Sequence, residues 1–205
     1  MARRFPGLRF AIIPAIPMSP KPSSPIKLMV SSSVYDKESF LAQVDAVLTG
    51  YGYEVIMSSR GKMFANPKLS AHENCLAAVK ECHAFLGIIS GHYGSEMGPK
   101  KVSITHMEMR RAIKLNKPRW FLVHHDVTIA SQLFGQFRYD GDGRKRRFKF
   151  AKTPVLSDIR VLDLYDDVTK SEKGNWAQPY LDETSALQFL DKQFSDPERI
   201  RRLLA

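Results

Sequence analysis

The chain has 205 residues, 43% hydrophobic and 25% charged, and a formal net charge of +10. That length suits one domain able to bury a full core, and no apolar run approaches the ~20 residues that a membrane-spanning helix needs. The only cysteines, Cys75 and Cys82, fall on one expected helix, whose rise holds their Cα atoms ~10 Å apart, beyond disulfide reach. They read as small core residues of a reducing, cytoplasmic compartment.

Residues 1–25 are rich in proline, hold three arginines and no acid, and are expected to form a disordered leader. The apolar patch LRFAIIPAIPM within them is broken by Pro14 and Pro17, and no A-x-A-like cleavage site follows, so it does not read as a secretory signal. Residues 26–31 (IKLMVS) form a near-continuous apolar run, as in a buried parallel strand. Ser33 or Asp36 can cap the next helix, 37–51, where Phe40, Val44, Val47 and Leu48 recur at helical spacing before Gly50 and Gly52 end it. A second strand is expected at 53–57 (YEVIM), then a loop over 58–69 with Gly61 and an Asn66-Pro67 turn signal.

A second helix, 70–82, puts Cys75, Leu76, Val79 and Cys82 on one face. The most apolar strand, 83–90 (HAFLGIIS), should be central; a glycine-bearing loop, a helix over 103–115 and a strand over 119–123 (RWFLV) follow. Beyond His125 the pattern loosens. The fifth strand is expected at 159–164 (IRVLDL), a helix begins at 165–170, and 184–195 is amphipathic before Asp196-Pro197 restarts a basic helix. Strict alternation, with crossovers long enough only for parallel pairing, predicts a flavodoxin-like doubly wound parallel sheet of order 2-1-3-4-5 in a three-layer α/β sandwich. The α/β domain is placed at 26–165, with 166–205 as a helical tail packing on it.

In such sheets ligands sit outside the carboxyl ends of the strands, near the switch in strand order. That collects Ser31, Ser32 and Ser33, the segment from Ser58 to Arg60, the segment from Ser90 to Gly94, Glu108 on the following helix, and His124-His125. Serines entering a helix N-terminus can hold phosphate or ribose, or simply cap the helix. Gly91, Gly94 and Gly98 let backbone approach a ligand, without matching a Walker or Rossmann spacing. Tyr93 can stack on a base or pack beneath the loop. Ile104, Met107, Ala112 and Leu115 mark the expected buried face of the helix, with Glu108 at its border. There Glu108 can complete a capping box with Thr105, pair with Arg111, or turn its charge toward a ribose. The run GRKRRFKFAK over 143–152 holds six basic residues and two phenylalanines; it reads as a solvated loop, a contact for a small anion or acidic partner, or a nucleic-acid contact. The six histidines show no metal-ligand spacing with acids or cysteines, and His124-His125 would point to opposite faces of a strand.

KLMVSSSVYDKESF, the run from Cys75 through Cys82-His83-Ala84-Phe85-Leu86-Gly87-Ile88-Ile89, HYGS and SITHMEMRRAIKLNKP, in that order over 26–125, resemble the bacterial domain-of-unknown-function family 4062. The resemblance implies kinship with Toll/interleukin-1 receptor (TIR) domains and nucleoside 2-deoxyribosyltransferases. Both have flavodoxin-like cores and use a glutamate of the corresponding helix against N-glycosidic bonds. Their pattern falls on Ser103, Thr105, Glu108 and Ala112, which makes Glu108 the candidate catalytic residue. Ser31, Ser32, Ser33, Arg60, Gly91, Tyr93, Gly94, Ser103 and Thr105 are the candidate ligand contacts. One departure is His83, where such families usually place an aspartate.

The resemblance implies a cytoplasmic TIR-like domain that binds a nucleotide or ribosyl ligand and cleaves an N-glycosidic bond of NAD or a nucleoside, in bacterial signalling or defence. No cofactor is implied, NAD entering only as a substrate, and no metal. The competing reading is a non-catalytic adaptor acting through protein partners or self-assembly; nucleic-acid binding through the basic run stands third, since no recognition motif accompanies it.

Overall fold

The computed structural model describes residues 24–33, 38–97, 102–146 and 149–205. All but the end of the expected leader, the alternative cap Asp36, Gly98, and Arg147 and Phe148 of the basic run lie outside the described residues. In chain order the elements are β1 (Lys27–Ser32), α1 (Glu38–Gly50), β2 (Glu54–Ile56), a 3-10 turn (Ser58–Arg60), α2 (Ala71–Glu81) and β3 (Ala84–Ile89). Then come β4 (Glu96–Met97), β5 (Val102–Ser103), α3 (Ile104–Lys114), β6 (Arg119–His124) and α4 (His125–Arg138). The chain closes with α5 (Arg160–Thr169), β7 (Ala177–Tyr180), α6 (Glu183–Phe194) and α7 (Pro197–Leu204).

Five strands pair in parallel in the order β2-β1-β3-β6-β7, which is 2-1-3-4-5 when only the strands of the main sheet are counted. β4 and β5 form a separate antiparallel ribbon. One face of the sheet meets α1, α6 and α7 through Leu28, Val30, Phe40, Val44, Leu190 and Ile200. The other meets α2, α3, α4 and α5 through Met29, Val79, Phe85, Met109, Val127 and Leu162. The molecule is thus the flavodoxin-like, doubly wound three-layer sandwich that alternation of the elements implies. Among the described residues no helix is long and apolar enough to cross a membrane.

Three local expectations are corrected. The segment 159–164 is the start of α5, not a strand: Val161, Leu164 and Val168 bury one helical face. The fifth strand is Ala177–Tyr180, drawn from the stretch expected to be a helical tail. Its Pro179 is tolerable because β7 is an edge strand. Finally, His125 opens α4 while His124 ends β6, so the two histidines do not alternate across a strand. α4 and α5 are clamped by Arg138, 2% exposed, which donates to Asp163 and Asp166 at 2.7 Å each.

Gly87 sets how close the helices come to the sheet. It lies beside Ser31 of β1 and Phe121 of β6 in the parallel ladder. A Cβ there would stand 2.6 Å from the Phe121 ring and 3.0 Å from the Met109 methyl. The missing side chain lets Met109 of α3 settle onto the sheet. Gly87→Ala should therefore cost about 1–3 kcal/mol of stability by overpacking. Chemical denaturation of the variant, with an unchanged slope, is the measurement; no loss would show that α3 yields freely.

Candidate functional site

Strand order reverses at β1, which sends its connections to β2 on one side and to β3 on the other by way of β2. At the carboxyl ends of these strands lies a cleft of about 450 Å³. Ser32 at the end of β1 and Ser33 after it, Ser58 and Ser59 after β2, and Gly94 and Ser95 after β3 form its rim. The first turns of α2 (Ala71, Asn74, Cys75) and α3 (Ile104, Thr105, Glu108) close it. Two helix N-termini therefore face the same space, which favours partial or full negative charge in a ligand.

Glu108 is the only carboxylate among the described residues of the wall and is 2% exposed. Its Oε2 accepts a 2.5 Å hydrogen bond from the Ser31 hydroxyl, while its Oε1 accepts none from any described residue. Burial pushes the carboxyl above its ordinary value, outweighing the opposite pull of Ser31 and Cys75. The Cys75 thiol stands beside the same carboxylate, and burial together with that neighbour pushes it up to about 12. It is a neutral thiol at physiological pH, not a nucleophile.

The buried residues of α3 are Thr105, His106, Glu108, Met109 and Ala112, while the expected Ile104, Met107 and Leu115 are only partly covered. At helical spacing Glu108 lies at one edge of that arc, yet it is 2% exposed. It does not cap the helix. Ser103 is the N-cap, fully buried and accepting from the His106 N–H, and the Thr105 hydroxyl donates to the Ser32 carbonyl at 3.0 Å. No described ion pair joins Glu108 to Arg111.

The other expected residues divide. Ser31, Ser32, Ser33, Gly94, Thr105 and Glu108 are brought together at the cleft, Ser31 through its bond to Glu108. Ser33 also ties two strand ends, its Oγ accepting from the Ser90 N–H at 3.2 Å. Arg60 stands apart, 3.5 Å from Asp45 on α1. Gly91 serves packing: the Val155 carbonyl oxygen lies 1.9 Å from where its Cβ would be. Tyr93 packs beneath the loop, with its hydroxyl 2.8 Å from His106 Nδ1 and the Arg160 guanidinium over its ring. His106 Nε2 in turn meets Asp167 at 2.8 Å. His83 lies at the amino end of β3, accepting from the Lys27 N–H, so its replacement of an aspartate does not touch the cleft.

Sequence reasoning missed Cys75, taken for a core residue, and Asn74. The Asn74 amide donates to the carbonyls of Asn66, Leu69 and Ser70, folding the 66–70 loop into the outer wall. No local pattern could have shown either role. A second hollow of about 470 Å³ beside β2, lined by Val55, Met63, Phe64 and Leu69, contains no buried carboxylate. Among the described residues no three His, Cys, Asp or Glu side chains are grouped to hold a metal ion.

The chain belongs to the family described as domain of unknown function (DUF4062), whose sequence profile matches residues 27–173. No curated protein matches it significantly. Among solved structures it is similar to the Clostridium botulinum CMP N-glycosidase. The two share 17% identity, the match covers 81% of this chain and 98% of that one, and the TM-score is 0.44. A likeness that distant carries no inference about chemistry.

The raised Glu108 has a thermodynamic signature. The folded state keeps this proton at pH values where the unfolded chain has released it. Stability therefore falls as pH rises from the ordinary carboxylate value of about 4.3 to the raised one. Glu108→Gln keeps an acceptor for Ser31 and deletes the buried charge. Its melting temperature relative to wild type should climb as pH goes from 4 to 8, on the order of the usual carboxylate range upward. Parallel melting curves for the two proteins across that range would show the carboxylate to be at ease where it is.

Proposed function

We propose that this domain binds a ribosyl ligand in the Glu108 cleft and hydrolyses its N-glycosidic bond, the ligand being NAD or a nucleoside. The observation that carries the reading is the Glu108 carboxylate, buried at the wall of a concave cleft with one oxygen held by Ser31 and the other without a described partner. A polyol suits the rest of the lining. Ser32, Ser58, Ser59 and Thr105 bring hydroxyls, and among the described residues no lysine or arginine lines the cleft.

The chemistry follows from that placement. When the bond from the anomeric carbon to the base nitrogen breaks, its electron pair leaves with the base and positive charge develops on the sugar. A fixed carboxylate in a site of low dielectric stabilises that cation far more than water does, because it needs no reorganisation. Water then adds to the anomeric carbon; its proton passes to the departing base of a nucleoside, or to solvent when nicotinamide leaves NAD already neutral. Burial supplies the low dielectric and also resists ionisation, so the charged form is held at some expense and gains most when a cation appears beside it. Free buried cysteines accord with a cytoplasmic setting.

A second reading, assembly with itself or with a protein partner, is favoured by one feature. The outer face of α4 carries Ile129, Leu133 and Phe137, 40%, 60% and 50% exposed, spaced one turn apart. Assembly and catalysis are compatible, and only the first requires this stripe.

The decisive assay is incubation with NAD and a nucleoside panel, at low and high protein concentration, reading released base by chromatography. Wild type should release base, and Glu108→Gln should lose roughly two or more orders of magnitude in turnover while staying folded. Full activity in the variant removes Glu108 from the mechanism; no released base in wild type at either concentration leaves the assembly reading in its place.

A further inference from the structure

A smaller cavity of about 330 Å³ adjoins the Glu108 cleft, and Gly94 and Ser95 line both. His92, Lys152 and Ser157 contribute most of the rest of its polar wall, over the edge of the buried Tyr93. Its one acid among the described residues, Asp158, is already neutralised. Burial pushes that carboxyl up, but hydrogen bonds from Arg160 outweigh burial and hold it below its usual range, with the guanidinium 2.5 Å away. The same guanidinium covers the Tyr93 ring at 4.5 Å. Lys152 makes no ion pair among the described residues, and no other described lysine or arginine lines the cavity. The cavity therefore presents one uncompensated cation beside an imidazole and two hydroxyls.

The wall that carries Lys152 is built, not draped. The Ser157 N–H donates to the Gly91 carbonyl at 2.8 Å, and Thr153 closes a turn on Leu156, whose side chain is 1% exposed. The Val155 carbonyl occupies the space that any side chain at position 91 would need. Upstream, Lys145 pairs with Asp163 at 2.5 Å and Phe150 packs edge-on against Phe134. The basic run is thus anchored at two points before it delivers its last lysine to the cavity. Phe150 is engaged in that anchoring and only partly exposed, which disfavours stacking on a base in a nucleic-acid track.

We propose that this cavity is an anion pocket that takes the phosphate group of the ligand whose sugar lies in the Glu108 cleft. The two compartments divide the work by charge. Among the described residues the cleft has hydroxyls and a carboxylate and no cation; the cavity across the Gly94–Ser95 saddle has the cation and no free acid. A sugar phosphate spanning the saddle would meet complementary groups at both ends, whereas an unphosphorylated nucleoside would leave Lys152 unused. Phosphate recognition stands on the cavity itself; its attachment to a ribosyl ligand rests on the function proposed above. A nucleoside monophosphate and the pyrophosphate of a dinucleotide share this chemistry.

The test separates those two levels. Inorganic phosphate and pyrophosphate are titrated into wild type, Lys152→Ala and Lys152→Gln, following the His92 imidazole protons by NMR. The His92 signals should move in wild type, with roughly tenfold weaker binding in both variants, the loss expected for one charge-assisted contact. Higher salt should weaken the wild-type interaction. In a second arm, calorimetry on Glu108→Gln compares a nucleoside, its 5′-monophosphate and NAD. The monophosphate should bind roughly tenfold tighter than the nucleoside, and the gain should vanish on adding Lys152→Ala. An equal gain with NAD assigns the pyrophosphate as a second source of the anion; a gain confined to the monophosphate assigns the phosphomonoester. His92 signals that ignore phosphate, or that respond equally without Lys152, overturn the pocket. A Lys152-dependent phosphate response with no binding of nucleoside or nucleotide keeps the pocket and overturns the ribosyl ligand.

Discussion

Close approach of α3 to the sheet at Gly87 is the constraint on which the rest of this molecule turns. β3 is buried on both faces along its whole length. At one position it carries no side chain, and Phe121 and Met109 close over the gap. Met109 is the next residue after Glu108, so the same approach brings the Glu108 carboxylate onto Ser31, Gly87's neighbour on β1. A bulkier residue at position 87 would hold α3 away and leave the carboxylate short of its partner. The sheet's apolar clusters supply the stability against which a buried, half-paired acid is tolerated.

Most of the polar residues near the strand ends are engaged by the fold. Ser33 and Ser90 tie β1 to β3, Ser103 caps α3, and Thr105 holds the Ser32 carbonyl. Tyr93, His106, Asp167 and Arg110 form a chain that fastens the loop after β3 to α3 and α5. Two described groups stand outside these pairings: the buried Glu108 Oε1 within the cleft and the exposed Lys152 ammonium beyond the saddle. A buried acceptor without a partner costs stability that packing does not repay, whereas an exposed ammonium is hydrated and free to meet an anion.

The C-terminal third shows how tertiary context reassigns segments. Residues 159–164 are short and apolar, a pattern that serves a buried strand or a helix face equally well. Packing of Val161, Leu164 and Val168 against the sheet decides for helix. The AQPY of β7 has neither alternation nor branched residues, and contains a proline; it becomes a strand because the free edge of β6 lies beside it. α4 escaped notice because its exposed Ile129, Leu133 and Phe137 blur any single apolar face.

The amino-acid sequence by itself determined the first four strands, their parallel pairing and their order. Apolar runs and helical spacings are local, and crossover length leaves one common topology. It also singled out Glu108 and the serines after β1, because strand ends and helix starts are marked by residue type. Only the tertiary structure decided that Glu108, at the edge of its helix face, is itself buried, that Cys75 stands beside it, and that Arg60 and Tyr93 are held elsewhere. Those outcomes depend on how far α3 rotates and settles against the sheet at Gly87. They also depend on which distant groups, Asp45, His106 and Arg160, claim each side chain, and no spacing along the chain encodes that.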